Sequence, residues 1–397
     1  VKILVVSTQY DPESGGCSRL LQEIVGGFTA RRHEVEVLAC GDPSLPGIAA
    51  FDKTQPYPIH RVAPQRRSGG SSAQMAFRLL SMSGRFDLVL CGVAFPSAIL
   101  VSFACSLTGT PYVVYSHGED VTVVRGTLLR RALVSAALRR ARGVMTNSSF
   151  TRREVLSLNV PPEKVHWVPP SIGLEAFASV RPEAVTRLRD RYGLHGKRVI
   201  LTVARIEARK GQDMIIRALA ALRRTDDDLH YLIVGKGDAT GLQALAQSAG
   251  VKDNVTFAGY VHEGDLPTFY HLCDVYAMVS RWDPATKEVE GFGIVYLEAA
   301  ACGKPCVAGS DGGAADAVEH GVTGFVVDPN SVESVSDALR TLLSDPGKAT
   351  AFGRDGQRRV HELFGKDNLT EQVERLLQPV GPAPSPAGPI PARSECP

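Results

Sequence analysis

The stretch Val199-Ile200-Leu201-Thr202-Val203-Ala204-Arg205-Ile206-Glu207-Ala208-Arg209-Lys210-Gly211 decides how the chain is read. Its first half is a short apolar run rich in β-branched residues, the signature of a strand buried on both faces of a sheet. Its second half is a basic loop that opens a helix over 211–224. Apolar runs at 231–234, 255–258, 275–278, 306–308 and 325–327 read as further strands, with helical spacing over 240–249, 294–302 and 331–344. Strand alternating with helix predicts a doubly wound parallel sheet.

The same alternation has already run once before this stretch. Val1-Lys2-Ile3-Leu4-Val5-Val6-Ser7 reads as a central strand, followed by a loop with Pro12 and Gly15-Gly16 and an amphipathic helix from Cys17 to Arg31. Strands are expected at 35–39, 88–91, 113–115, 143–146 and 165–168, and the pattern restarts near Pro169-Pro170-Ser171. The predicted organisation is α/β: one Rossmann-like domain over residues 1–172, a second over 173–366, and a helix over 367–378 returning to the first domain. Residues 379–397, with seven prolines in nineteen positions, are expected to be a disordered tail. Open α/β sheets bind ligands at the carboxyl ends of their strands, so two such domains facing each other make an interdomain cleft. One segment competes with this scheme, because Leu88–Leu107 is twenty residues without a charge and long enough for a membrane span. Gly92 and Pro96 interrupt it, and a buried strand, turn and helix fit it better.

With 397 residues and 44% hydrophobic content, the chain can fill two cores. Its net charge of +2 conceals an asymmetry: residues 1–172 carry 19 Lys/Arg against 12 Asp/Glu, and the remainder 25 against 30. A basic first half suits an anionic surface or substrate. Nucleic acid is not an expected partner. The eight cysteines form no CxxC pair and have no histidine at ligand spacing, so they read as buried thiols of a reducing compartment, not as a metal site. Sequons stand at Asn147, Asn254 and Asn368, but no signal peptide is read, so the expected location is cytoplasmic and glycosylation is not expected.

The chemistry is concentrated in Glu290-Gly291-Phe292-Gly293-Ile294-Val295-Tyr296-Leu297-Glu298. Helical spacing begins at Ile294, which places Glu290 ahead of the helix and Glu298 one turn inside it, both able to face one ligand. The unpaired N–H groups at the helix start suit a phosphate or diphosphate, and carboxylates suit hydroxyl groups. The pattern fits a ligand with phosphate in its middle and sugar hydroxyls on both sides; a solvated loop carboxylate and a first-turn carboxylate favoured by the helix dipole fit it equally. Arg205 and Lys210, at the carboxyl end of the 199–204 strand, both have the reach to meet a phosphate, the first as a planar fork and the second as a point charge.

Arg205 and Lys210 at a spacing of five, followed by Glu290 and Glu298 around Gly-Phe-Gly-Ile-Val-Tyr-Leu, resemble the retaining GT-B glycosyltransferases of family 4. Ser7-Thr8-Gln9-Tyr10-Asp11-Pro12 with Gly15-Gly16, and Ser116-His117-Gly118-Glu119-Asp120, are similar to that family's amino-terminal signatures. Together these cover the chain apart from its proline-rich end. Within the family, residues 289–299 and the insertion Trp282–Val289 most resemble mannosyltransferases acting on phosphatidylinositol mannosides. The resemblance implies a GT-B fold and transfer of a hexosyl group, with retention, from a nucleotide-diphospho-sugar to a hydroxyl acceptor. By the same resemblance Glu290 holds hydroxyls of the donor hexose, with the backbone of Phe292, Gly293 and Ile294 near sugar and diphosphate. Glu298 binds the ribose; Arg205 and Lys210 stabilise the departing phosphate, aided by the backbone at Gly15 and Gly16; His117 approaches the reacting centre. Gly259 opens a loop with His262, Glu263 and Asp265 that frames the base. By the same resemblance no metal or other cofactor is expected, the nucleotide sugar being a substrate.

Several alternatives stay open at this point. The donor is read as GDP-mannose and the acceptor as a lipid or cyclitol, with a UDP-sugar and a small natural product as the second reading. An epimerase or hydrolase of UDP-sugars with the same fold, or a catalytically silent nucleotide-sugar binding protein, are rivals of another class. Leu128–Arg142 sets Arg130, Arg131, Arg139, Arg140 and Arg142 around Leu129, Leu133, Val134 and Leu138. That pattern is compatible with peripheral docking on anionic lipid at the inner face of a membrane, and with an ordinary surface helix of a basic domain. Gly235-Lys236-Gly237-Asp238 lacks the third glycine of a dinucleotide fingerprint and reads as a turn.

Overall fold

The computed structural model describes residues 1–10, 12, 15–63, 70–223 and 227–377, so the proline-rich segment 379–397 lies outside the described residues. The first half of the chain runs β1 (Lys2–Ser7), α1 (Gly16–Ala30), β2 (Glu34–Cys40), α2 (Pro46–Thr54), β3 (Ile59–Val62), α3 (Gly70–Ser83), β4 (Leu88–Cys91), α4 (Ser97–Thr108), β5 (Tyr112–Ser116), α5 (Glu119–Thr122), α6 (Leu128–Arg140), β6 (Gly143–Thr146), α7 (Ser149–Leu156) and β7 (Val165–Trp167). Its strands pair in parallel in the order β3-β2-β1-β4-β5-β6-β7. The second half runs α8 (Pro182–Tyr192), β8 (Arg198–Val203), α9 (Gln212–Leu222), β9 (Leu229–Val234), α10 (Thr240–Ser248), β10 (Val255–Gly259), α11 (Leu266–Leu272), β11 (Val275–Met278), α12 (Ile294–Ala301), β12 (Cys306–Gly309), α13 (Ala314–Ala317), β13 (Gly324–Val327), α14 (Val332–Ser344), α15 (Pro346–Leu363) and α16 (Lys366–Leu377). Its sheet, also parallel, has the order β10-β9-β8-β11-β12-β13.

Both sheets thus reverse direction beside their first strand, between β1 and β4 and between β8 and β11, where loops diverge and leave a crevice. The strand periodicity of two decides the cores. Ile3 and Val5 face α1 with Leu20, Leu21, Ile24 and Phe28, while Leu4 and Val6 face the opposite layer with Leu79, Val101 and Leu138. The uncharged stretch from Leu88 is β4 followed by α4, and among the described residues no helix is long and apolar enough to cross a membrane.

The last helix crosses between the halves. Leu369 and Val373 of α16 are buried against α1, and Arg31 and His33 both pair with Glu374, the His33 Nε2 at 3.0 Å. Several elements have no counterpart in the sequence reading, β3 and α15 among them. β3 is an edge strand of four residues, Ile-His-Arg-Val, with too little apolar alternation to declare itself. α15 contains Gly347, Gly353 and Gly356, which depress helix propensity. Its position comes from packing: a Cβ on Gly353 would collide with the Gly303 carbonyl oxygen, so only glycine lets the helix sit this close to the turn before β12.

Leu369→Ala removes a side chain that is 2% exposed at the α16–α1 contact. The expected loss is about 2–5 kcal/mol, read as a lower urea midpoint, with hydrogen exchange rising first along α16.

Candidate functional site between the two sheets

The carboxyl ends of the two sheets face one another, and glycines let the backbones meet. A Cβ on Gly291 would collide with the His117 carbonyl oxygen, so the loop after β11 seats directly on the loop after β5. Asn147 Nδ2 donates to the same carbonyl at 3.2 Å, and the Ser149 N–H donates to Asp316 Oδ2 at 2.6 Å across the seam. Gly293 caps α12 with φ of 87°, a left-handed conformation open to glycine at little cost, and this turns the chain so that the helix start points into the cleft. From the other side Gly16, the first residue of α1, faces the Ile294 side chain. Two helix amino-termini therefore converge, each with unpaired N–H groups and the positive end of its dipole, which is favourable ground for an anion.

The charged side chains complete the site. Lys210 Nζ lies 2.5 Å from Glu290 Oε2, both nearly buried. Arg209, only 4% exposed, sits among Glu207 at 3.0 Å, Glu119 of α5 at 3.3 Å, Glu288 at 3.4 Å and Glu290 at 3.9 Å. Burial pushes Glu290 towards its neutral form, but Lys210 and Arg209 outweigh it and hold the carboxyl below the usual carboxylate range. Glu298 is 2% exposed. Its carboxylate accepts from Tyr270 Oη at 2.6 Å and from Arg19 Nη1 of α1 at 2.9 Å. Burial prevails there and raises Glu298 above the ordinary value against the pull of Arg19. His117 donates from Nε2 to the Gly92 carbonyl oxygen at 2.9 Å and packs, tilted by 40°, against the Tyr115 ring with centroids 4.6 Å apart. Burial would lower its pKa, but the Cys17 thiol, Asp120 and the Gly92 carbonyl hold it up at about 9.

Residues 185–359 match the model described as glycosyl transferases group 1, and residues 14–176 the model described as glycosyltransferase family 4. The chain is 34% identical, over 95% of its length and 98% of the relative's, to the GDP-mannose-dependent alpha-(1-6)-phosphatidylinositol monomannoside mannosyltransferase of Mycobacterium tuberculosis. It is 36% identical to the enzyme of the same description from Mycolicibacterium smegmatis, over 89% of this chain and 92% of that one. The chain belongs to the family 4 glycosyltransferases. Among solved structures, Anabaena HepE in complex with UDP and glucose superposes with a TM-score of 0.80 at 22% identity, covering 95% of this chain and 99% of that one, which shows the GT-B fold.

In this glycosyltransferase the residues singled out in the sequence have different surroundings from one another. Lys210, Glu290, Gly293, Ile294, Gly16 and His117 meet at one cleft, Gly15 precedes α1 at its edge, and the Phe292 side chain turns away into the core of the second domain against Phe364. Arg205 behaves differently from Lys210: its side chain is 66% exposed and Nη1 pairs with Glu207 Oε1 at 2.7 Å. Lys210 is in turn committed to Glu290. Gly259 ends β10 with its carbonyl accepting from Gly235 N–H at 2.8 Å, and next to it Lys236 Nζ lies 4.1 Å from the centre of the exposed Tyr260 ring. Several participants were missed. Arg209 looks like one more cation of a basic loop, and Arg19, Tyr270 and Cys17 reach the site from helices far away in sequence; no spacing rule links them to Glu298 or His117. The insertion is a tight hairpin, closed by the Asp283–Glu288 bridge, that grips the first domain. Thr122 Oγ1 donates to the Lys287 carbonyl at 3.2 Å, and the Arg125 guanidinium stands 5.4 Å from the Trp282 ring centre. Among the described residues no group of three or more His, Cys, Asp or Glu is arranged to hold a metal ion.

A histidine in water titrates near about 6.5, so His117 is expected to hold its proton through neutral pH and lose it as pH rises through about 9, together with the stability its contacts contribute. An NMR titration of the His117 imidazole checks this. Cys17→Ala is expected to bring the midpoint down, and an unchanged midpoint near neutrality in the wild-type protein would contradict the assignment.

Proposed function

We propose that the enzyme transfers mannose, with retention of anomeric configuration, from GDP-mannose to a hydroxyl of a phosphatidylinositol-type lipid acceptor. The reading of donor and acceptor is supported by relatives that are described as GDP-mannose-dependent and that align over nearly the whole chain. The observation that carries the chemistry is the Lys210–Glu290 pair set between two helix amino-termini. Glu290, kept ionised by Lys210 and Arg209, accepts hydrogen bonds from hexose hydroxyls. Glu298 does the same for the ribose, and the diphosphate lies between them against the helix starts. The bond between anomeric carbon and phosphate oxygen breaks, and negative charge grows on a diphosphate flanked by Lys210, Arg205 and backbone N–H groups. Fixed donors and cations at such a point are the largest contribution an active site makes. The acceptor oxygen bonds to the anomeric carbon on the face the diphosphate leaves, and its proton passes to the departing phosphate oxygen. These cations and dipoles supply the positive charge, so the proposed reaction uses neither metal nor other cofactor. The protonated His117 holds the sugar side of the reacting centre.

Thermal unfolding with GDP, UDP, ADP and TDP tests the donor. At a hundred times the dissociation constant a nucleotide stabilises by about 2.7 kcal/mol, and GDP is expected to give the largest shift. A larger shift with UDP would replace the donor, and no shift with any nucleotide would remove the proposal. Glu290→Ala is expected to depress turnover more than nucleotide affinity, while near-wild-type turnover of Lys210→Ala would remove that residue from the mechanism.

The lipid acceptor requires the enzyme to meet a membrane, and the first domain offers a surface for it. α3, α4 and α6 lie side by side, with Phe77, Phe103, Leu107, Leu128, Leu129 and Leu133 exposed. In α6 the apolar residues divide: Val134 and Leu138 are buried in the core, while Leu129 and Leu133 face solvent among arginines. Exposed apolar side chains on neighbouring helices, with the arginines of α6 among them, fit anionic lipid at a membrane surface. Cosedimentation with phosphatidylserine-containing vesicles is expected, weakened by salt and by Leu129→Glu with Phe103→Glu. Equal binding of wild type and variant would rule this face out.

A further inference from the structure

Glu298 is sealed in. Tyr270 covers one carboxylate oxygen from within the second domain, and Arg19 covers the other from the first, leaving the side chain 3% exposed. Arg19 does not stop there: its second guanidinium nitrogen pairs with Glu263, in the turn between β10 and α11. One side chain of α1 therefore fastens the first domain to both walls of the cleft end where α12 and the Glu263 turn meet. The Arg19 and Glu263 side chains are 35% and 57% exposed, so this fastening opens to water when the domains part, whereas the Tyr270 contact stays with the second domain.

Resting on the assignment of Glu298 to the ribose, we infer that Arg19 is an interdomain latch that a nucleotide must displace. A ribose cannot touch a carboxylate that is 3% exposed, and the Tyr270 side is closed by the core. The approach lies where the guanidinium now sits. Nucleotide binding then consists of two linked events, withdrawal of Arg19 from Glu298 and entry of two ribose hydroxyls in its place. A ligand that must first break a contact binds more weakly by the fraction of molecules in which the contact is already broken. The latch thus fastens the two domains together and sets nucleotide affinity below what the second domain alone would give.

The test is nucleotide titration by calorimetry alongside small-angle X-ray scattering of the intact protein, with GDP and UDP as probes, for wild type, Arg19→Ala, Glu263→Gln and Glu298→Ala. Arg19→Ala is expected to bind nucleotide at least threefold more tightly and to show a larger radius of gyration without ligand, and Glu263→Gln to move both in the same direction by less. Weaker binding by Arg19→Ala would mean that Arg19 holds the nucleotide, and unchanged affinity and radius in both variants would mean that the contact is incidental; either overturns the latch. Unaltered affinity in Glu298→Ala would instead overturn the ribose assignment, leaving the scattering comparison to judge the latch by itself.

Discussion

A guanidinium in the interior of a protein must be neutralised, and Arg209 is neutralised by carboxylates from both domains. Removing one partner from a buried pair leaves an uncompensated charge, which typically costs about 3–5 kcal/mol. The rest of the cleft follows from that constraint. Glu207 and Glu290 are drawn to Arg209 from the two loops at the reversal of the second sheet, and Glu119 is drawn from the first domain. Glu290 remains ionised although it is buried, and this is the state in which it can accept from hydroxyls and bind Lys210. The polar network is also a fastening between domains, so electrostatics and domain closure are one property here.

Topology explains why the network forms where it does. In a parallel sheet wound in both directions from its first strand, the loops after the two innermost strands diverge, and the crevice between them is lined by backbone and not by side-chain core. This happens twice in one chain. The loops after β8 and β11 carry Lys210 and Glu290; the loop after β4 carries Gly92, and the one after β5 carries His117. Helix α16 then ties the second half back onto α1, the helix whose first turn bears Gly16, Cys17 and Arg19. Movement of α1 is therefore felt at both domains.

Much of this was legible in the letters, for particular reasons. The strands at 199–204 and 88–91 announce themselves because strands buried on both faces must be apolar throughout. The carboxylates of Glu290 and Glu298 were legible because they stand close in sequence around a helix start, where local geometry alone places them. Arg205 and Lys210 looked equivalent, yet one extends to solvent beside Glu207 and the other is folded onto Glu290. β3 escaped because an edge strand needs only one covered side, and α15 because it carries glycines, of which Gly353 serves a neighbouring backbone and not the helix itself.

By itself the sequence determined the two sheets, their restart and the loop that pairs phosphate-binding ground with hydroxyl-binding carboxylates, since these rest on periodicity and on neighbours a few residues apart. Only the tertiary structure decided which charges meet. Arg19 reaches Glu298 and Glu263, Arg209 reaches Glu119, and Cys17 reaches His117, across separations that no periodicity links. A salt bridge depends on where two side chains end, and in this chain those ends are positioned by two domains closing on each other.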